Sequence, residues 1–162
     1  MKLEHAFDVA ADQETVWTLI RDPARMVPCV PGCEECEQVG DDEYRAKVTV
    51  SVGPIKASFN LTIDIVEEHP PTLLVSRSRG EEGSRASVVK SDNELRLEAL
   101  PDGGTRISYA AEVEISGRLG RYGAGMMKKI ATRLAGKFEE SFQTMAEAEA
   151  GIGTGSAPEP VS

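Results

Sequence analysis

The sequence predicts an α+β fold in which one curved, seven-stranded antiparallel sheet wraps a single long C-terminal helix. Three observations carry this. From Tyr44 to Ile115 apolar and polar residues alternate with a period of two, in runs separated by short turn signals. From Gly117 to about Ala148 the apolar period becomes three and four, with no proline. Most strands are apolar on one face only, so the sheet has one dry side for the helix to cover.

The elements follow in order. Leu3, His5, Phe7 and Val9 alternate along a first strand. Asp12 is placed to cap a short helix with an apolar face of Val16, Trp17, Leu19 and Ile20, which Asp22-Pro23 stops. A second short helical turn, Ala24 to Val27, ends at Pro28. Pro31-Gly32 signals a turn, and Cys33 to Val39 forms a short strand. Tyr44, Ala46, Val48, Val50 and Val52 then point one way, with Arg45, Lys47, Thr49 and Ser51 opposite. Gly53-Pro54 turns into a strand in which Ile55, Ala57, Phe59, Leu61, Ile63 and Ile65 share a face. Pro70-Pro71 breaks that run before a strand from Leu73 to Arg79. After Glu81-Glu82-Gly83 a strand runs from Arg85 to Leu100; its alternation is interrupted at Lys90 to Asn93, where a bulge is expected. Pro101 to Gly104 turns again, and Ile107, Tyr109, Ala111, Val113 and Ile115 alternate up to the helix.

The helix carries a stripe of Leu119, Tyr122, Met126, Ile130, Leu134, Phe138, Phe142 and Met145. At ~1.5 Å per residue its expected length is about 45–50 Å. Gly117, Gly120, Gly123, Gly125 and Gly136 each cost roughly 0.5–1 kcal/mol inside a helix. Their crowding at one end leaves two readings open: a late helix start against the sheet, or a mobile gate over a cavity. Between Gly117 and Phe138 lie Arg118, Arg121, Lys128, Lys129, Arg133 and Lys137 and no acid, an order that opposes the helix dipole. Those six cations are the candidate membrane or partner face; a plain solvated face is the alternative.

A chain of 162 residues is most simply one domain, 1–148, followed by a Gly/Ser/Pro-rich tail, 149–162, expected to be disordered. A net charge of −9 argues against nucleic-acid binding. No apolar run approaches the ~20 residues of a spanning helix, and the N-terminus lacks the apolar core of a secretory signal. Three cysteines fit a reducing compartment, so a cytoplasmic location is expected.

The inward face is thin in bulk, with Ala46, Ala57, Ala111 and several valines, and aromatics make up 5% of the chain. Small residues on a curved sheet leave space that is hard to fill, and such a void takes a greasy ligand. The cavity-facing candidates are Val48, Val50, Phe59, Leu61, Ile63, Tyr109, Ala111, Met126, Met127, Ile130 and Leu134. A core simply packed by Met126, Phe138 and Trp17 is the competing reading.

Signals for catalysis are sparse. Cys29, Cys33 and Cys36 have the C-x3-C-x2-C spacing that holds an iron–sulfur cluster in radical-SAM enzymes, but no strand–helix repeat follows to build that barrel. Zinc lacks a convincing fourth ligand, so ordinary thiols and no metal are expected. His5 and His69 are far apart, and no phosphate-binding glycine loop joins a strand to a helix. The chain does not read as an enzyme.

Three segments resemble one family: VWTLIRDP, CVPGCEECEQVGDDEYRAKVTVSVGPIKASF and SGRLGRYGAGMMKKIATRLAGKFEESF. Together they are similar to the G subunit of carbon monoxide dehydrogenase, of the START-like (SRPBCC) superfamily, over about Met1 to Phe142. The resemblance implies the helix-grip fold and a non-catalytic accessory role for CO-dehydrogenase-type molybdenum hydroxylases. It also implies membrane recruitment or electron transfer, and a lipid or respiratory quinone held in the apolar cavity with no covalent cofactor. Some members end in a membrane-attaching segment, whereas this sequence stops at PEPVS, so attachment at the inner face of the membrane would fall to the basic helix face. Cys36 is an addition to the family pattern. A polyketide cyclase-like enzyme, with Tyr109 and His5 inward, and a ligand-free protein adaptor are the alternatives.

Overall fold

The computed structural model describes residues 1–83 and 86–151. Its strands are β1 (Lys2–Val9), β2 (Cys33–Gln38), β3 (Glu43–Val52), β4 (Ile55–His69), β5 (Leu73–Glu82), β6 (Ser87–Ala99) and β7 (Thr105–Gly117). They form one antiparallel sheet in the order β1-β7-β6-β5-β4-β3-β2. β2 to β7 are therefore a meander, each strand pairing with the next. β1 instead lies along the free edge of β7, with His5 opposite Tyr109 and Phe7 opposite Ile107. From β1 the chain crosses to the opposite edge through α1 (Gln13–Ile20) and α2 (Pro23–Met26).

The crossover folds for local reasons. Val16, Trp17 and Leu19 are buried on one face of α1. Asp12 stands at its N-cap, but its carboxylate accepts from the Thr15 hydroxyl rather than from a backbone N–H. Asp22 follows α1 and accepts from the Ala24 N–H at 3.0 Å, capping α2 with Pro23 at its first position.

The long helix starts later than its apolar pattern suggests. Arg118–Tyr122 is a 3-10 turn, and α3 proper is Gly123–Glu149, 27 residues. Gly117 (φ +85°) and Gly123 (φ +84°) bracket the turn in backbone conformations that L side chains avoid. The glycine-rich end is thus a corner between β7 and α3, and α3 is about 40 Å long rather than 45–50 Å.

Two apolar cores pin the helix. Its C-terminal half buries Phe142 and Ala146, both 0% exposed, among Val9, Trp17, Leu97 and Ile107. Phe142 stacks on Phe138 (centroids 5.5 Å apart), and both meet Phe7 edge-on at 6.3–6.4 Å. At the other end Met127 and Ile130 close over Ile55, Ala57, Phe59 and Leu119. Near the C-terminus of α3, where the helix dipole disfavours acids, three glutamates are engaged: Glu139 with His5 (2.6 Å), Glu147 with the Ala10 N–H (3.1 Å) and Glu149 with Arg25 (2.5 Å).

Other boundaries moved too. β5 runs on to Glu82, and the expected start of β6 at Arg85 lies outside the described residues, as does the expected tail from residue 152. The expected bulge at Lys90 to Asn93 is absent, since these residues pair with Arg79 to Ser76 in unbroken register. The described register shifts fall instead at Cys33/Glu35 and Ile65/Glu67. What interrupts the alternation in β6 is a pair of polar residues on the inner face, Ser91 and Asn93.

Phe142→Ala removes the ring at the centre of the larger core, and a loss of about 3–5 kcal/mol in chemical denaturation is expected. A loss below about 1 kcal/mol would mean that the aromatic cluster does not anchor α3.

Candidate functional site

The inner face of β3 and β4 carries the small and aliphatic residues Ala46, Val48, Leu61 and Ile63, paired as Ala46↔Leu61 with Val48 one step along. α3 anchors on β1 at one end and on the β4 hairpin end at the other, so this part of the face is roofed by the crossover instead. A cavity of about 240 Å³ results, walled by Ile20, Met26, Val27 and Val30 from the crossover and by β2 to β5 below.

At the edge of the pocket, Arg21 donates to Glu68 Oε2 at 2.7 Å and to the Tyr44 hydroxyl at 2.5 Å. Its guanidinium also lies 5.5 Å from the Tyr44 ring centroid. This ties α1 to β3 and β4 and neutralises the one cation in the pocket lining.

The shift at Cys33/Glu35 matters here. Residues three apart in a regular strand face opposite ways, but Cys33 pairs with Val48 and Cys36 with Ala46, so both thiols reach the pocket. Gly32 (φ +78°) starts this strand so close to β3 that a Cβ would lie 1.9 Å from the Thr49 carbonyl oxygen. Burial pushes both thiols above the ordinary cysteine range, so they stay protonated and serve as apolar wall. Cys29 is elsewhere, buried in the larger core with its sulfur 3.6 Å from Met145 Sδ. The C-x3-C-x2-C spacing therefore does not converge, and among the described residues no group of three or more His, Cys, Asp or Glu is placed to hold a metal ion.

The sequence-expected cavity residues divide. Val48, Leu61 and Ile63 line the pocket. Phe59, Met127 and Ile130, with Val50 and Leu134 against them, are spent on the smaller core. Tyr109 and Ala111 lie on the inner face of β7, where Ala111 is buried and pairs in register with Leu3 and Asn93. Met126 is 38% exposed, because it lies at the margin of the buried side of α3, about 100° around the helix from Met127. Pocket residues that the sequence pattern did not single out are those of the crossover (Ile20, Met26, Val27, Val30) and Cys33, Cys36, Leu74 and Ser76. Strand parity could have added Tyr44, Ala46 and Ile65, which it had already turned inward; nothing in the sequence said where the crossover would lie.

The six cations also divide. Arg118 donates to the Lys56 carbonyl oxygen at 3.2 Å and pairs with Glu82, fixing the corner before α3. Arg121, Lys128, Lys129, Arg133 and Lys137 are exposed and have no ion-pair partner among the described residues. At 100° per residue Lys129, Arg133 and Lys137 share a side of α3 with the exposed Met126. No helix among the described residues is long and apolar enough to cross a membrane. A larger depression of about 820 Å³ lies on the outer face of the sheet, where Arg77 pairs with Asp92 at 2.9 Å and the N-terminal ammonium of Met1 with Glu112 at 3.0 Å.

Arg118 holds the Glu82 carboxyl below its ordinary value of 4.5. A depressed folded-state value stabilises the fold above the unfolded value, and that gain is lost as pH falls through the folded value. Arg118→Met is therefore expected to be less stable than the wild type at pH 7, with the difference shrinking as pH drops below 4.5. A pH-independent difference in denaturation midpoints would rule out the charge pair as its source.

The comparisons with known proteins agree on the architecture. A conserved protein from Geobacillus kaustophilus superposes with a TM-score of 0.84 at 23% identity, covering 91% of this chain and 97% of that one. A START superfamily protein from Mycobacterium smegmatis gives 0.72 at 14% identity, covering 91% and 98%. The Zhui aromatase/cyclase from Streptomyces sp. R1128 gives 0.61 at 16% identity, covering 93% of each. No curated protein matches the sequence significantly. The family model for the carbon monoxide dehydrogenase G subunit (CoxG) matches residues 6–147. The chain, with its START-like sheet curled around α3, belongs to the CoxG family, that of the carbon monoxide dehydrogenase G subunit.

Proposed function

We propose that this protein is a non-catalytic accessory protein that holds a hydrophobic ligand, a lipid or a respiratory quinone, in the pocket beneath the crossover. It would thereby assist the membrane recruitment or electron transfer of a CO-dehydrogenase-type molybdenum hydroxylase. The observation that carries the reading is the pocket itself: aliphatic side chains, two protonated thiols and an internally neutralised arginine form its lining. Family membership supports the partner. The five exposed cations of the 3-10 turn and α3, beside the exposed Tyr122 and Met126, support contact with an anionic lipid surface.

A cyclase-like enzyme is the second reading, favoured by the likeness to an aromatase/cyclase and by the inward His5 and Tyr109. Both side chains are already engaged. His5 bonds Glu139, and the Tyr109 hydroxyl donates to Asn93 Oδ1 at 3.0 Å. Neither lines the 240 Å³ cavity, which weighs against this reading.

Organic extraction of the purified protein followed by mass spectrometry tests the carrier. A near-stoichiometric lipid or quinone is expected from the wild type and almost none from Ala46→Phe, whose ring would fill the pocket. Equal recovery from both would place the ligand elsewhere; an empty wild type, even after incubation with quinones, would leave the adaptor role alone.

The basic face is tested by co-sedimentation with phosphatidylcholine vesicles with and without phosphatidylglycerol. Each cation near an anionic surface contributes about 1 kcal/mol, so reversing Lys129 and Arg133 to glutamate should lower binding by more than about tenfold. Binding that ignores both the reversal and the lipid charge would remove the membrane role of this face.

A further inference from the structure

Resting on the apolar-ligand reading above, we propose that the occupant of the pocket carries a neutral carbonyl-type oxygen. That oxygen accepts hydrogen bonds from a serine–asparagine band on the inner face of β5 and β6. The band explains the break in the β6 pattern. Along the inner side β6 reads Leu97, Leu95, Asn93, Ser91, Val89: apolar at both ends and polar in the middle. The neighbouring strand matches it, with Ser76 opposite Asn93 and Ser78 opposite Ser91. On the other side Leu95 faces Tyr109. The two apolar cores contain none of these five polar residues; they lie between them.

Polar side chains on a dry face are costly when unpaired, so their bonding shows what the band still offers. Asn93 Nδ2 donates to Ser78 Oγ at 3.2 Å and to Ser76 Oγ at 3.4 Å, and Asn93 Oδ1 accepts from Tyr109. Burial pushes the Tyr109 phenol up, which keeps that donor protonated. Ser78 and Ser91 share one bond at 2.6 Å. The three serines bring three hydroxyl hydrogens, and this one bond uses a single one of them. The other two have no acceptor among the described residues, so the band presents surplus donors.

Ser76 is the member that also lines the 240 Å³ cavity, which places a donor in a wall that is apolar apart from the Arg21–Tyr44 pair at its edge. An anionic head would lack a counter-charge there, because Arg21 is committed to Glu68 and Tyr44. A head that only donates would leave the two surplus hydroxyl hydrogens unpaired. An apolar body ending in a carbonyl oxygen satisfies both the wall and the band.

Nonane and 2-nonanone, with the same carbon chain length, are the probes, with binding to the full chain read by headspace partitioning. Ser76→Ala/Ser78→Ala is expected to weaken 2-nonanone by about five- to tenfold and to leave nonane within about twofold. Equal changes for the two probes, including no change for either, would overturn the carbonyl assignment while leaving the apolar pocket standing. Failure of both probes to bind the wild type would overturn the pocket reading itself. A measurement free of mutation covers the case of a misfolded variant. The carbonyl stretch of bound 2-nonanone should lie below its position in hydrocarbon solvent, and an unshifted band would overturn the proposal.

Discussion

A sheet with one dry face must be covered, and here a single amphipathic helix cannot cover all of it. Seven strands at ~4.8 Å spacing make a surface roughly 30 Å across, whereas one helix is about 10 Å wide. α3 meets this limit by lying along β1 and pressing on the sheet at its two ends, through Phe142 and Ala146 and through Met127 and Ile130. What remains over β3 to β5 is left to the β1–β2 crossover, whose short helices bring aliphatic side chains but too little bulk to close the space. The pocket follows from that shortfall rather than from any residue designed to open it.

Electrostatics sorts the two halves of α3. In the C-terminal half each of three glutamates is held by a specific partner from β1 or the crossover, which offsets the unfavourable dipole position. In the N-terminal half Lys128, Lys129 and Arg133 have no such partner among the described residues. One half of the helix is thus tied down by charge as well as by aromatic packing. The other half keeps its charge for solvent or for something that docks.

The pocket and the polar band share a wall at Ser76. The apolar lining supplies a nonspecific driving force that scales with the area removed from water, and directed hydrogen-bond donors supply orientation. A carrier needs both if it is to hold one class of ligand in one pose.

The α+β class, the seven strands, their inward sides and the long helix were legible in the sequence, because period-two and period-three-to-four patterns are local consequences of strand and helix geometry. Val48, Leu61 and Ile63 could be assigned to the inner face for the same reason. The break at Lys90 to Asn93 was visible but misread, since a bulge and an inward polar pair disturb alternation in the same way and differ only in register with β5. Tertiary structure alone decided which inward residues are spent on cores and which face a void: Phe59 and Met127 are packed, whereas Ala46 and Cys36 are not covered by the helix. That outcome depends on where the crossover lies relative to α3, a long-range arrangement that joins residues far apart in the chain and leaves no periodic trace along it.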